Sequence, residues 1–339
     1  MKKAAISLCA LLALSLLTAC ATKAPSSSSN SLSPAPSSTV SPAASDTASA
    51  PQDETLTFTD DLGREVTVPM QPQRVAALLG SFADVWLLSG GEVCATADDA
   101  WEDLHLDLPE DTVNIGNLKG RSLEKLLDAQ PDFILASANT KQDLEWRDTL
   151  EKAGIPTAYF DVPDFSGYLR LLKLCTQLTG QPERYEEYGT KVSEQIEEIR
   201  AEGRAKAEAD GAPRVLVLRA SPSIIQAKNS TGNVLGEMLA DLGCENIADV
   251  DDTLLETLSL EHILQADPEY IFIVQRGGDA EGTKAAVDAM LTEQPAWGEI
   301  TAVQKDHVFY MDKALFSLKP NARWAEAYEV AERLLWDEA

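Results

Sequence analysis

Histidine is nearly absent from this chain. Three occur in 339 residues, His105, His262 and His307, and no two are neighbours. A receptor for bare zinc or manganese needs converging imidazoles and carboxylates, so this scarcity argues against one. Cysteine is scarce as well: Cys9 and Cys20 fall in the first twenty residues, which leaves Cys94, Cys175 and Cys244. Three thiols cannot all pair internally, so the fold does not depend on a disulfide framework. Basic residues number 28 against 55 acidic ones, a formal net charge of −27. Nucleic-acid binding needs a basic face, and this balance argues against one, although a few residues in a cleft can still oppose the global field. No Gly-x-Gly-x-x-Gly fingerprint for a dinucleotide is present. The one long apolar run, Ala4 to Leu17, is too short for a membrane span and no stop-transfer charges follow it.

That run is the first positive feature. Lys2 and Lys3 precede it, and Leu17-Thr18-Ala19-Cys20 closes it. This resembles a bacterial lipobox, so residues 1–19 read as a lipoprotein signal peptide and Cys20 as the lipidated residue. Residues 20–53 are mostly Ser, Pro, Ala and Thr, and they lack the apolar content to fold. Such a leash of about 32 residues spans on the order of 30 Å. It suits a domain tethered at a membrane.

From residue 54 onward, apolar runs alternate with amphipathic stretches. "LTFTDDLGREVTVP" (56–69) predicts a hairpin around Asp61-Leu62-Gly63. Buried strands are expected at "RVAALLG", "EVCAT", 132–137 and "PTAYFDV", with helices at 82–91, 122–130, 142–153 and 166–179. The pattern restarts with "RVLVLR", a helix at 232–243, "YIFIVQ", a helix near 281–291, "HVFYMD" and a last helix at 322–336. Between the halves, Tyr185, Tyr188, Val192, Ile196 and Ile199 make a single stripe on one helix bracketed by Gly-x-Pro sequences. From Glu183 to about Ala209 it would be roughly 40 Å long. The expected fold class is α/β, with two Rossmann-like lobes of central, mostly parallel sheets joined by one long helix. The boundaries are 54–180, 181–212 and 213–339.

One segment is written twice. "SLEKLLDAQPDFIL" (122–135) and "SLEHILQADPEYIF" (259–272) share seven of fourteen residues at an offset of 137. On a helical wheel Leu123, Leu126 and Leu127 form one stripe, as do Leu260, Ile263 and Leu264. Glu124 and Glu261 face away from it, in the first turn. Ser122 and Ser259 suit the N-cap, and Pro131 and Pro268 end each helix. A carboxylate there gains about 0.3–1 kcal/mol from the helix dipole, which is the plainest reading. "SLEK" also matches the S-x-x-K nucleophile pattern, but His262 replaces the lysine in the second copy and no partner motif follows. Docking to a partner with basic sockets is the third reading.

The segments "TFTDDLGREVTVP", "IGNLKGRSLEKLLDAQPDFILAS", "GNVLGEMLADLGCENIAD", "LSLEHILQADPEYIFIV" and "WGEITAVQKDHVFYMD" together resemble the solute-binding proteins of ABC transporters for iron-siderophores, haem and cobalamin. The resemblance covers essentially all of 54–339. It implies a monomeric, non-enzymatic receptor holding a small-molecule metal chelate between two lobes, with no cofactor of its own. It also implies one exposed glutamate per lobe that pairs with arginines of an ABC permease dimer and its ATPase. Glu124 and Glu261 occupy those positions. A single joining helix implies a small closure motion.

The ligand crevice of such a fold lies beyond the C-terminal ends of the strands. In the first lobe this nominates Gly80, Ser81 and Phe82, then Asp98, Asp99 and Trp101, then Ser137, Asn139 and Thr140, and Phe160 with Asp161. In the second it nominates Arg219 and Ser221, Gln275 and Arg276, and Phe316 with Lys319 and Arg323. Arg219 and Arg276 end neighbouring buried strands of an acidic protein, which suits carboxylates, catecholates or propionates. Phe82 and Trp101 offer flat faces for stacking on a chelate, although a buried plug is the alternative for Trp101. Haem ligation through Tyr, Met or His stays open. Two further readings are a chelate-processing enzyme on the same two-lobed fold and a surface sensor that does not transport.

Overall fold

The computed structural model describes residues 54–250, 253–256 and 258–336. The signal peptide, Cys20 and the tether lie outside the described residues. β1 (Thr55–Thr59) and β2 (Glu65–Pro69) pair antiparallel, as the hairpin pattern predicts. Then β3 (Val75–Ala77), α1 (Gly80–Leu88), β4 (Val93–Thr96), α2 (Asp99–Glu102), β5 (Val113–Asn114) and α3 (Leu123–Asp128) alternate. They are followed by β6 (Phe133–Ser137), α4 (Lys141–Lys152), β7 (Thr157–Phe160) and α5 (Phe165–Thr179). Strands β3 to β7 form one parallel sheet, ordered β5-β4-β3-β6-β7.

The hairpin has a structural task. β7 is an edge strand, and unpaired edge groups invite association. Buried Asp60 accepts from Tyr159 N at 3.2 Å, and Arg64 Nη2 donates to Thr157 O at 2.7 Å. Asp61 N donates to Tyr159 O at 3.0 Å, and Asp61 Oδ2 accepts from Asp161 N at 2.7 Å. Backbone and side chains of one turn thus stand in for a sixth strand.

The joining helix departs from the unbroken form expected. α6 (Glu183–Tyr185) runs into a π-turn at Glu186–Thr190 and continues as α7 (Lys191–Asp210). The Tyr188 carbonyl within the turn accepts a 2.8 Å bond from Tyr168 of α5. A Cβ on buried Gly189 would lie 3.2 Å from Tyr185 and 3.3 Å from Leu169. Tight packing and a carbonyl bonded outside the helix accompany the local widening. Below the turn, α7 is fastened to the second lobe.

That lobe begins with β8 (Arg214–Ser221) and β9 (Ile224–Lys228), which pair antiparallel. α8 (Val234–Asp241), β10 (Glu245–Asn246), α9 (Ile247–Val250), α10 (Thr253–Glu256), α11 (Leu260–Ala266) and β11 (Tyr270–Gln275) follow. α12 (Ala280–Val287), α13 (Thr301–Gln304), β12 (Val308–Met311), α14 (Lys313–Phe316) and α15 (Trp324–Trp336) complete it. The sheet order is β10-β8-β11-β12, all parallel, with β9 added to β8. Arg200 Nη2 binds Asp241 Oδ1 at 2.6 Å and Arg204 Nε donates to Asp241 O at 2.8 Å, so α7 is clamped to the end of α8.

Side-chain alternation along the strands builds the core. Val75, Phe133 and Leu135 of the first sheet share one apolar cluster with Val215, Val217 and Phe272 of the second. Their neighbours face outward into separate clusters, Ala76 and Ile134 in one lobe, Leu216 and Ile271 in the other. The inner faces of both sheets therefore belong to one continuous core.

Candidate ligand-binding site

The inner face of the second sheet changes character toward its C-terminal end. On β8 the row Val215-Val217 passes to Arg219, and on β11 the row Phe272-Val274 passes to Arg276 one residue beyond the strand. β9 runs antiparallel to β8 and sets Lys228 opposite Val217. Apolar core thus gives way to cations at one pole of one face.

A cavity of about 310 Å³ lies there. The first lobe lines it with Asn139 after β6 and Asp161, Val162 and Pro163 after β7. The second lobe contributes Val217, Arg219, Lys228, Val274, the start of α8 (Gly232, Asn233, Val234) and the loop after β12 (Phe316, Ser317, Lys319). No His, Met, Tyr or Cys is among the lining residues.

Among the described residues, Arg219, Lys228, Arg276 and Lys319 have no ion pair and no side-chain hydrogen bond. Burial, then the charge of Arg276, pulls Arg219 below the usual guanidinium range. Lys228 is lowered by burial and then by both arginines. Lys319 is lowered chiefly by burial, with Arg219 adding to that and Asp161 and Asp99 opposing it. Repulsion among like charges with little water is costly, and an anion between them would relieve it. The facing wall is polar: Asn139 Nδ2 donates to Asp161 Oδ1 at 2.6 Å, leaving the other Asp161 side-chain oxygen toward the cleft free of protein donors.

Of the residues nominated at strand ends, Asn139, Asp161, Arg219, Phe316 and Lys319 line the cavity; Arg276 does not, but its charge is felt by Arg219 and Lys228. The others are used elsewhere. α1 begins directly at Gly80, so Ser81 and Phe82 sit inside its first turn and are buried rather than in a loop. Phe82 packs edge-on against Phe160 at 6.3 Å, and Phe160 stacks on Phe58, so neither ring is free for a chelate. Buried Asp99 accepts from Gly80 N at 3.0 Å and joins α2 to α1. Trp101 lies within α2, is half-buried and does not line the cavity. Ser221 Oγ donates to Ile224 O at 3.2 Å in the β8–β9 turn. Arg323 is exposed and paired with Glu326 at 2.6 Å.

Lys228 and Asn233 were not nominated. The hairpin signal "ASPSIIQAK", a Pro-Ser turn between β-branched residues, would have placed Lys228 beside β8.

The repeated helices stand as follows. Ser122 Oγ caps α3 by accepting from Lys125 N at 3.2 Å. Ser259 makes no side-chain cap bond, and only its carbonyl accepts, from Ile263 N. Glu124 and Glu261 are both exposed, and neither has a partner among the described residues.

Comparisons with known proteins agree with this architecture. The family model described as periplasmic binding protein matches residues 75–315. The iron-uptake system-binding protein of Bacillus subtilis is 25% identical over 247 residues, 72% of this chain and 75% of that protein. An ABC transporter substrate-binding protein of Listeria monocytogenes superposes with a TM-score of 0.61 at 18% identity, covering 78% of this chain and 99% of that one. Staphylococcus aureus IsdE in complex with heme superposes with a TM-score of 0.65 at 16% identity, covering 78% and 99%.

Proposed function

The chain belongs to the periplasmic binding protein family, and on that premise we propose that it is the solute-binding component of an ABC importer for an anionic metal chelate. It captures the chelate between its lobes and delivers it to a membrane permease driven by an ATPase. The observation that carries the anionic part is that three cations, Arg219, Lys228 and Lys319, line the cavity of a protein with net charge −27 and have no ion pair or side-chain hydrogen bond among the described residues. Relatives named for iron uptake and for a heme complex support the chelate class. The lining supplies no axial ligand of its own, which favours a metal already enclosed by its chelator. The reading is of a receptor and not an enzyme, anchored outside the cytoplasm through lipid on Cys20. Glu124 and Glu261 serve as the two permease contacts, one per lobe.

Tryptophan-fluorescence titration with chelates of graded charge tests this. Ferric complexes of catecholates and carboxylates bind, while a neutral ferric trihydroxamate binds more weakly. Equal affinity for neutral and anionic complexes, or no response to any of them, refutes it.

A further inference from the structure

The segment from α14 to the start of α15 crosses from the second lobe to the first and is anchored there three times. Lys313 Nζ lies 2.6 Å from Asp103 Oδ1. Asn321 Nδ2 donates to the Ser81 carbonyl at 2.8 Å and to Asp84 Oδ2 at 2.9 Å, both in α1. Trp324 meets Phe165 edge-on at 5.7 Å. Between the first two anchors lie Phe316, Ser317 and Lys319, which line the cavity.

Lys319 cannot aim itself. Its ammonium sits 5.7 Å from the Phe82 ring centroid and has no hydrogen bond or ion pair among the described residues. With no polar tether, its four-carbon stem is held only by the packing that buries it. Its direction must come from the backbone. Two residues later, Asn321 is fully buried, adopts a left-handed φ of 53°, and leaves its Oδ1 without a partner. Strain and an unsatisfied buried oxygen both cost stability, and they persist only where surrounding contacts over-determine the position.

We propose that Asn321 is a positioning residue for the cleft: its amide pins this strap to α1 of the opposite lobe and thereby aims Lys319 at the bound chelate. The inference deepens the reading of the cavity as an anion site and rests on it. It assigns one cleft cation to a contact between lobes. Lys319 presents its charge to ligand when the strap is seated on the first lobe.

Asn321→Gly tests it with little collateral change, because glycine keeps the left-handed backbone and removes only the amide. The first measurement needs no ligand. Lysine acylation of the full chain is followed site by site by mass spectrometry over a pH series, with exposed Lys305 as the internal reference. Lys319 is faced by Asp161, Asp99 and Arg219, and burial sets its reaction midpoint below the usual lysine range in the native protein. In Asn321→Gly the midpoint rises toward the usual lysine range and the plateau of labelling increases. The second measurement is affinity for the ferric complex of 2,3-dihydroxybenzoate. Asn321→Gly weakens it by about tenfold, the size of one charge-assisted contact. In a Lys319→Met background the same substitution costs nothing more, because the two residues act as a unit. Additive losses, or an unchanged Lys319 profile, overturn the inference. Should Asn321→Gly not fold, Asn321→Asp shifts the profile in the same way. Adding Asp84→Asn then rebuilds the side-chain bond of the contact, though not the bond to the Ser81 carbonyl, and moves the profile part of the way back; a profile that Asp84→Asn does not move in that pair overturns the inference. Failure of wild-type protein to bind the complex would sink the anionic-chelate reading, while the labelling result still decides the role of Asn321.

Discussion

Replacing Arg219 by methionine should move stability and affinity in opposite directions. Arg219 is half-buried in the inner face of β8, beside Val217 and Val274, with Arg276 and Lys228 close enough to be felt as charges. It has no protein partner, so no ion pair is lost on substitution. Methionine fills similar space against the same apolar neighbours. Partial exposure keeps the cost of the native charge toward the low end for a buried unsatisfied group, about 1 kcal/mol. Removing it raises the melting temperature of the free protein by about 2–4 °C for a domain pair of this size. A charge-assisted bond to ligand is worth about 1.5–3 kcal/mol, so affinity for an anionic ferric chelate falls by about 10–150-fold. Differential scanning fluorimetry without ligand and a fluorescence titration with ligand read the two quantities. If Arg219→Met melts lower and binds equally well, the arginine is a packing element and the reasoning about frustrated charge is wrong. If both quantities fall together, the loss of affinity reflects damage to the fold.

Two further outcomes follow from other sites. Burial raises the Asp99 carboxyl from 3.8 to about 6, against the opposing bond from Gly80 N. The native state then holds that proton more tightly than the unfolded chain, so stability is greatest below the unfolded pKa and declines as pH rises to the folded value. A shift of about two units corresponds to roughly 3 kcal/mol lost between about pH 4 and pH 6. Asp99→Asn keeps an acceptor for Gly80 and flattens that part of the urea-midpoint profile; an unaltered slope would assign the pH dependence to other groups. At the helix N-termini, the double substitution Glu124→Ala and Glu261→Ala leaves chelate affinity unchanged and abolishes uptake in cells. Uptake at the native rate would leave a dipole contribution of about 0.3–1 kcal/mol per helix as their whole role.

Much of the architecture was legible because it depends on local pattern. Short apolar runs between amphipathic segments marked the parallel strands, and the exposure of Glu124 and Glu261 followed from the wheel of a six- or seven-residue helix. Arg219 was legible too, since "RVLVLR" ends a buried run on a charge. Phe82 and Asp99 were misplaced for a definable reason. Gly80 after β3 looked like a loop, but helix α1 starts on it after only two intervening residues, and Asp99 likewise opens α2. Strand-end position then delivers a side chain to the core instead of the crevice. The π-turn has no periodic signature, because Gly189 and the Tyr168 bond act between elements. Lys319 and Asn321 lie in a segment whose hydrogen-bond partners in the first lobe are more than two hundred residues away in sequence. No spacing rule reaches that far.

The two halves of the molecule are alike where the segments repeat and unlike at the cavity. α3 and α11 each present a carboxylate in the first turn. At the cleft the first lobe supplies amide and carboxylate, Asn139 and Asp161, whereas the second supplies the cations. A partner that grips one carboxylate on each lobe senses the separation of the lobes and not the chemistry between them. Arg219 and Lys319 feel each other's charge across the cleft, and on Lys319 Asp161 and Asp99 oppose that repulsion. The strap that carries Lys319 is also bonded to α1 through Asn321, so it ties the cation-bearing loop of the second lobe to the first. Like helix ends therefore accompany an asymmetric cleft, with amide and carboxylate on one lobe and cations on the other.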